Sequence, residues 1–214
     1  MKIAKRILFT FLILLLVFGG TGLWLLFGSR TSNPKNNAHI GEIPPPSGYE
    51  RVVGTNPGYT QFLRALPLKP KGSKVYLYTG GKAFFQPMNY AVVDLPLLSN
   101  AEQCADACMR LRAEYFYQTG QYNNIQFQDV NGHTLRYSGG ASREALHRYL
   151  RRLYGVASTF SLSREMQPRP LAEIQPGDVF VYPGKGKFLG HAVLVVDVAV
   201  NKDGKKAFLL AEGN

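Results

Sequence analysis

The feature that most constrains this chain is an uncharged apolar run near its N-terminus, residues 7–27. A helix of that length spans about 30 Å, the thickness of the hydrocarbon core of a bilayer. Lys2, Lys5 and Arg6 precede the run, so the positive-inside rule predicts a cytoplasmic N-terminus and an exported remainder. We therefore expect a single-pass membrane anchor that contacts the bilayer through residues 7–27. A cleaved signal peptide, with its apolar stretch at residues 7–18, is the alternative and would give a secreted protein.

Composition limits the function classes that remain. The chain has 214 residues, 45% apolar and 18% charged, which excludes a collagen, a wholly disordered chain and a polytopic membrane protein. Its formal net charge of +11 suits an anionic surface or polymer, but it does not by itself choose among a membrane, a nucleic acid and the cell wall. We expect peptidoglycan or acidic envelope polymers as a partner. The basic residues are dispersed and the chain is predicted to be exported, so we do not expect a nucleic-acid partner. Two cysteines and four histidines without metal-ligand spacing predict neither a metal site nor a cofactor.

The organisation of the chain follows from these signals. Residues 1–30 are a basic cytoplasmic tip and the anchor, and residues 31–50 form a polar linker that contains three consecutive prolines. Residues 51–214 form one domain. We expect this domain to lie in the periplasm or at the cell exterior of a bacterium, with the anchor in the inner membrane.

The order of elements predicts an α+β domain, with helices first and an antiparallel sheet after them. We predict helices over residues 58–65, 100–120 and 142–154, a hairpin around Asn131 and Gly132, and strands over residues 75–78, 90–95, 178–182, 191–200 and 207–212.

Two residues stand out as candidates for chemistry. Cys104 lies in the first or second turn of the longest predicted helix. Ser99 with Glu102, or Asn100 with Gln103, has the spacing of a capping box at the start of this helix. The helix dipole favours a thiolate at that position. His191 follows Gly190 at the start of a predicted strand, and an imidazole is a suitable base for a thiol. Such a base needs a third group to orient it.

Strand pairing predicts which residues orient the imidazole. If Asp203 and Gly204 are the central turn residues, Val195 faces Glu212 and Val193 faces Asn214. Glu212 and Asn214 then share a sheet face with His191, and Asn214 is its diagonal neighbour. A slip of one residue in the turn would reverse this placement.

A packing role for the cysteines is the alternative. Cys104, Cys108, Leu111 and Tyr115 fall on one helical face, and buried free cysteines are common. Under that interpretation the protein is a non-catalytic binding or scaffolding domain. We expect Cys108 to pack in either case. The two cysteines do not form a disulfide within a regular helix, because their side chains run parallel.

Several blocks of sequence resemble a bacterial family, domain of unknown function 4846. They are ERVVG, FLRALPLKP, AVVDLPLL, QCADACMRLRAEYFY, TFSLSREMQPRPLAEI and IQPGDVFVYPGKGKFLGHAVLVVDVAVNKDGKKAFLLAEG. The resemblance runs from Ile43 to the C-terminus and implies a bacterial envelope protein of unestablished activity. The family pattern has cysteine at position 104 and usually glutamine where this chain has Glu212. It also continues past residue 214, which implies that the domain is truncated here.

The C-terminal part also resembles the papain-like peptidases, and in particular the NlpC-type cell-wall peptidases. The shared features are a cysteine at a helix start, a PGD strand, a histidine at a strand start and a polar residue on the next strand. This resemblance implies a papain-like domain with helices packed on an antiparallel sheet. It also implies a cysteine amidase or peptidase acting on cell-wall peptides. Cys104 would be the nucleophile, His191 the general base, and Glu212 or Asn214 the orienting group, with backbone N–H groups of the Cys104 helix as the oxyanion hole.

Overall fold

A computed structural model describes residues 32–77, 79–83, 89–184 and 189–213. The chain divides into two compact units, Met1–Asn37 with Leu68–Val92, and Ala38–Pro67 with Val93–Asn214. The candidate residues Cys104, His191 and Glu212 all belong to the second unit.

In the first unit, the side chain of Asn33 is fully buried. Its amide nitrogen donates to the carbonyl oxygens of Asn37 (2.9 Å) and Lys69 (3.0 Å), and its amide oxygen accepts from the Asn37 N–H (2.8 Å). A buried polar side chain needs such partners, since an unpaired amide would lose its hydration without compensation.

The strands predicted over residues 75–78 and 90–95 are wrong for the described residues in those ranges. Tyr76 and Lys82 form only an isolated bridge, and residue 78 lies outside the described residues. Backbone hydrogen bonds join residues 75–77 to residues 81–83, from the Leu77 N–H to the Gly81 carbonyl oxygen (2.8 Å) and from the Ala83 N–H to the Val75 carbonyl oxygen (3.0 Å). Among the described residues these contacts do not extend into a ladder.

The second unit contains four α-helices and six strands among the described residues. They are β1 (Tyr49–Arg51), α1 (Pro57–Arg64), α2 (Cys104–Gln118), β2 (Gln126–Gln128), β3 (Thr134–Arg136), α3 (Arg143–Tyr154), α4 (Thr159–Glu165), β4 (Val179–Tyr182), β5 (His191–Asn201) and β6 (Lys206–Ala211).

Strand β5 is the centre of the main sheet. β4 and β1 pair with successive parts of one edge of β5, and β6 pairs with the other edge. All three pairings are antiparallel, and β2 and β3 form a separate hairpin. The predicted α+β class with an antiparallel sheet is therefore what the structure shows.

The two faces of the sheet have different surroundings. α1 and α2 contact β5 and contact each other through the Tyr59 and Tyr115 rings, whose centroids are 5.0 Å apart. On the opposite face, Val195 and Val198 pack with Ile174, and half-buried Phe180 and Phe208 join them. This second face is only partly covered.

The predicted fold class needs correction in its membrane part and in its assignment to a papain-like (NlpC-type) domain. No helix of the described residues is long and apolar enough to cross a bilayer. The predicted span, residues 7–27, and the alternative signal peptide lie outside the described residues. What the structure supports is an α+β domain with antiparallel sheets.

Part of the predicted linker is packed. Ile40 and Ile43 are buried, and the Ile40 N–H donates to the carbonyl oxygen of Leu66 (3.1 Å). Tyr49 then begins β1, which pairs with β5. Burial of these two isoleucines stabilises the fold of an otherwise polar stretch. Residues 38–50 belong to the second unit.

Candidate functional site

Cys104 is the first residue of α2 and is partly buried. The helix begins later than the caps predicted at Ser99 and Asn100. Asp106 closes its N-terminus instead, because its Oδ2 accepts the Gln103 N–H at 2.9 Å. Burial raises the pKa of Asp106 to about 6, although the Gln103 N–H opposes the shift. The thiol therefore lies in the turn whose free N–H groups point out of the helix.

A buried ion pair fixes the segment that leads into α2. Arg110 Nη1 donates to both carboxylate oxygens of Glu102, at 2.8 and 3.0 Å, and to the carbonyl oxygen of Pro96 at 2.8 Å. The Glu102 carboxylate also accepts the Leu98 N–H at 3.1 Å. Both charged side chains are about 95% buried. Glu102 is thereby engaged by Arg110 and is not available for the predicted capping box.

Cys108 is buried one turn along the helix, as predicted for a packing residue. Burial raises the pKa of its thiol to about 12, and the nearby Cys104 adds to the shift. Cys108 is therefore a neutral thiol at physiological pH and provides an internal reference for the chemistry of Cys104.

His191 and Glu212 form a hydrogen-bonded pair. Their Nε2 and Oε2 atoms are 2.8 Å apart, and each side chain is about half exposed. An ionised carboxylate can only accept, so Nε2 carries the proton and donates it. Nδ1 is then the basic nitrogen of the ring. This is the orientation that a general base requires.

The register that brings the pair together differs from the predicted one. Val195 pairs with Leu210 and Leu194 with Ala211, so Glu212 is the diagonal neighbour of His191. That is the place predicted for Asn214, which itself lies outside the described residues. The turn shifts the register by one residue and a β-bulge between Val195 and Asp197 shifts it by a second. Because the two shifts of one residue cancel, Glu212 still projects from the same sheet face as His191.

The N-terminus of α2 lies against the same end of the sheet. A Cβ added at Gly213 would be 3.1 Å from Ala107 Cβ and 3.2 Å from the Gln103 carbonyl oxygen. The turn that carries Cys104 therefore contacts the residue after Glu212, at the end where β5 begins. Among the described residues, no hydrogen bond joins Cys104 Sγ to His191. Because side chains alternate along β5, Ala192 faces α2 and the imidazole projects at the other side of the strand end.

Gly190 is required by close packing on both sides of the chain. A Cβ there would be 2.7 Å from the Tyr182 carbonyl oxygen and 1.9 Å from Thr159 Oγ1. Thr159 begins α4, so the glycine allows β4 and α4 to contact the chain directly before His191.

Other chemistry has less support in the part of the chain that the structure describes. It contains no group of three or more residues that could hold a metal ion. A cavity of about 260 Å³ lined by residues 120–124 follows the C-terminal end of α2, far along the helix from Cys104.

The sequence reasoning missed Asp197. The available signal was a single carboxylate within the apolar strand VLVVDVAV.

Fold and site together define a class of protein: an α+β domain with a histidine–glutamate pair at a sheet end, where the residue after the glutamate contacts the first turn of a cysteine-bearing helix. The family model described as Domain of unknown function (4846) matches residues 41–140 and 136–214. The chain belongs to this family, and the family predicted from the sequence is confirmed. Neither the search of curated proteins nor the search of solved structures gave a match.

Proposed function

We propose that this domain is a cysteine hydrolase or acyltransferase that acts on amide bonds. Cys104 is the nucleophile, His191 the general base and Glu212 the residue that orients the imidazole. The observation that carries the proposal is the 2.8 Å bond between His191 and Glu212 at the sheet end that contacts the first turn of α2.

In each half of the proposed reaction, His191 first takes a proton as a base and then returns it as an acid. The proposal requires the imidazole, which projects on the other side of the strand end, to reach the Cys104 thiol when substrate binds. Nδ1 of His191 then takes the thiol proton, and the Cys104 thiolate attacks the carbonyl carbon of the amide. Backbone N–H groups of the first turn of α2 stabilise the oxyanion. The imidazolium then protonates the leaving amine, and a thioester remains. Water, or an acceptor amine, attacks the thioester with His191 as base, which releases the acyl product and the thiol. Glu212 holds the proton on Nε2 throughout.

The resemblance to NlpC-type peptidases supports this proposal and suggests wall peptides as substrates. The PGD motif, residues 176–178, holds the start of β4 against β5. Gly177 N–H donates to the Val195 carbonyl oxygen, Val195 N–H donates to the Asp178 carbonyl oxygen, and the Asp178 carboxylate accepts the Gln175 N–H. We propose the bacterial envelope as the location. Residues 31–214 carry a formal net charge of +7, because four of the positive charges and no acid lie in residues 1–30, and this charge would favour acidic wall polymers there.

An activated ester tests the proposal without knowledge of the substrate. With p-nitrophenyl acetate, we expect a burst of p-nitrophenolate, one acetyl group on Cys104 by peptide mass spectrometry, and slow turnover. Cys104→Ser should abolish the acetylated species. His191→Ala should slow acetylation by roughly 10²-fold, the usual contribution of a general base.

Cys108→Ser is the matched control, because that thiol is buried and has a raised pKa. In the Cys108→Ser variant, Cys104 should be acetylated at the wild-type rate. Acetylation of Cys104 that is absent, or equally fast in His191→Ala, would contradict the proposed function. It would instead favour the non-catalytic binding or scaffolding domain.

A further inference from the structure

Asp197 is a buried carboxylate held by two arginines from different elements. Its Oδ2 accepts from Arg51 Nε at 2.5 Å, and its Oδ1 accepts from Arg64 Nε at 3.0 Å and from Arg64 Nη2 at 2.6 Å. The Asp197 side chain is only 6% exposed. Arg51 lies in β1 and Arg64 at the end of α1, so the carboxylate fixes the middle of β5 to both.

A second set of contacts fixes the beginning of β5. Ala192 and Leu194 are almost fully buried, and they share the face on which α1 and α2 pack. In a regular strand, residues 192 and 194 would lie on the opposite face from residue 197. The two sets of contacts are compatible only if one extra residue lies between them.

The β-bulge supplies that extra residue. It lies between Val195 and Asp197, where the pairing with β6 shifts by one. The packing of the other face agrees, since Val195 and Val198 belong to one apolar cluster although they are three residues apart. A regular strand would send these two side chains to opposite faces.

The bulge also decides where Glu212 lies. If the pairing of Asp197 with Leu209 continued without a bulge, Leu194 would face Glu212. Glu212 would then project from the face opposite His191, because a slip of one residue moves every side chain to the other face. The hydrogen bond between Nε2 and the carboxylate would be lost.

We propose that Asp197, bound by Arg51 and Arg64, is a positioning residue for the His191–Glu212 pair. Its contacts hold the bulge in place, and β6 carries the resulting register to Glu212. The catalytic consequence rests on the proposed function, whereas the structural link to the pair does not.

The test is the protonation of the His191 ring, read from its ¹⁵N chemical shifts in protein with labelled histidine. Wild type should show the proton on Nε2 above neutral pH. In Asp197→Asn this single form should give way to the mixture of tautomers of a free imidazole. Glu144→Gln, the same change at an exposed residue of α3, should leave the His191 signals unchanged.

Rescue by a deletion makes the test specific to register. Removing Val196 from Asp197→Asn restores the pairing of Val193 with Glu212 in a regular ladder, so the Nε2-protonated form should return. Arg64→Met, which leaves Arg51 on the carboxylate, is the second variant if Asp197→Asn does not fold, and it should show a partial loss.

An unchanged Nε2 signal in Asp197→Asn or Arg64→Met, or no rescue by the deletion, would overturn the inference. If the signals behave as expected but wild-type Cys104 is not acetylated, the proposed function fails and the positioning role stands.

Discussion

Arg110→Met will lower the free energy of unfolding by about 3–5 kcal/mol, the usual cost of removing one partner of a buried ion pair. The substitution leaves the Glu102 carboxylate buried without its counter-charge and the Pro96 carbonyl oxygen without its donor. Urea unfolding followed by circular dichroism measures the change. The destabilised segment leads directly into Cys104, so acetylation of Cys104 should also slow.

The control is an ion pair of the same chemistry in water. Arg148 and Glu144 are 62% and 82% exposed and lie four residues apart on α3. Arg148→Met should cost less than about 1 kcal/mol, because exposed pairs contribute little. Combining Arg110→Met with Glu102→Leu should recover much of the loss, since an apolar pair leaves no buried charge. An equal loss in the free energy of unfolding for Arg110→Met and Arg148→Met would show that the buried pair contributes no more to stability than the exposed one.

Gly190→Ala will slow acetylation of Cys104 by roughly 10²-fold, the penalty for displacing a reacting group by about 1 Å. The new Cβ would lie 2.7 Å from a backbone carbonyl oxygen and 1.9 Å from Thr159 Oγ1, so the chain before His191 must move. We expect a loss of about 1–3 kcal/mol in the free energy of unfolding as well, as for overpacking in a core. Burst kinetics with the activated ester and urea unfolding measure the two effects.

Gly155→Ala is the matched control at the end of α3. A Cβ there meets only the Arg152 carbonyl oxygen at 3.5 Å, an ordinary contact. Its burst kinetics should equal those of the wild type. If Gly190→Ala also acetylates at the wild-type rate, the position of His191 does not limit the chemistry.

Local sequence signals predicted most of the second unit, because they act over short distances. The apolar periodicity of residues 142–154 and the cap at Ser142 correspond to α3, and the meander of three strands corresponds to β4, β5 and β6. α2 begins at Cys104, four residues after the start predicted at residue 100. A capping signal at Ser99 and Glu102 is local, but the Arg110 side chain, eight residues away from Glu102, takes that carboxylate.

The register of β6 shows where local signals end. The sequence predicts that Glu212 and His191 share a sheet face, and they do so in the structure. The structure reaches this placement through a turn that is one residue wider and through a β-bulge, and the rules for turn sequences do not predict the bulge. The bulge depends on contacts between Asp197 and Arg51, which are 146 residues apart. Such contacts exist only in the folded chain, so the correct face was reached through two shifts that cancel.

The rate of alkylation of Cys104 by iodoacetamide across pH shows whether Cys104 and His191 form a thiolate–imidazole pair. We expect rapid alkylation of native Cys104 below pH 7, and loss of this reactivity in His191→Ala and, to a smaller degree, in Glu212→Gln. Cys108 should react only after unfolding. There is no such pair if native Cys104 shows the profile of an ordinary thiol, with a midpoint at about pH 8.5 that His191→Ala does not change.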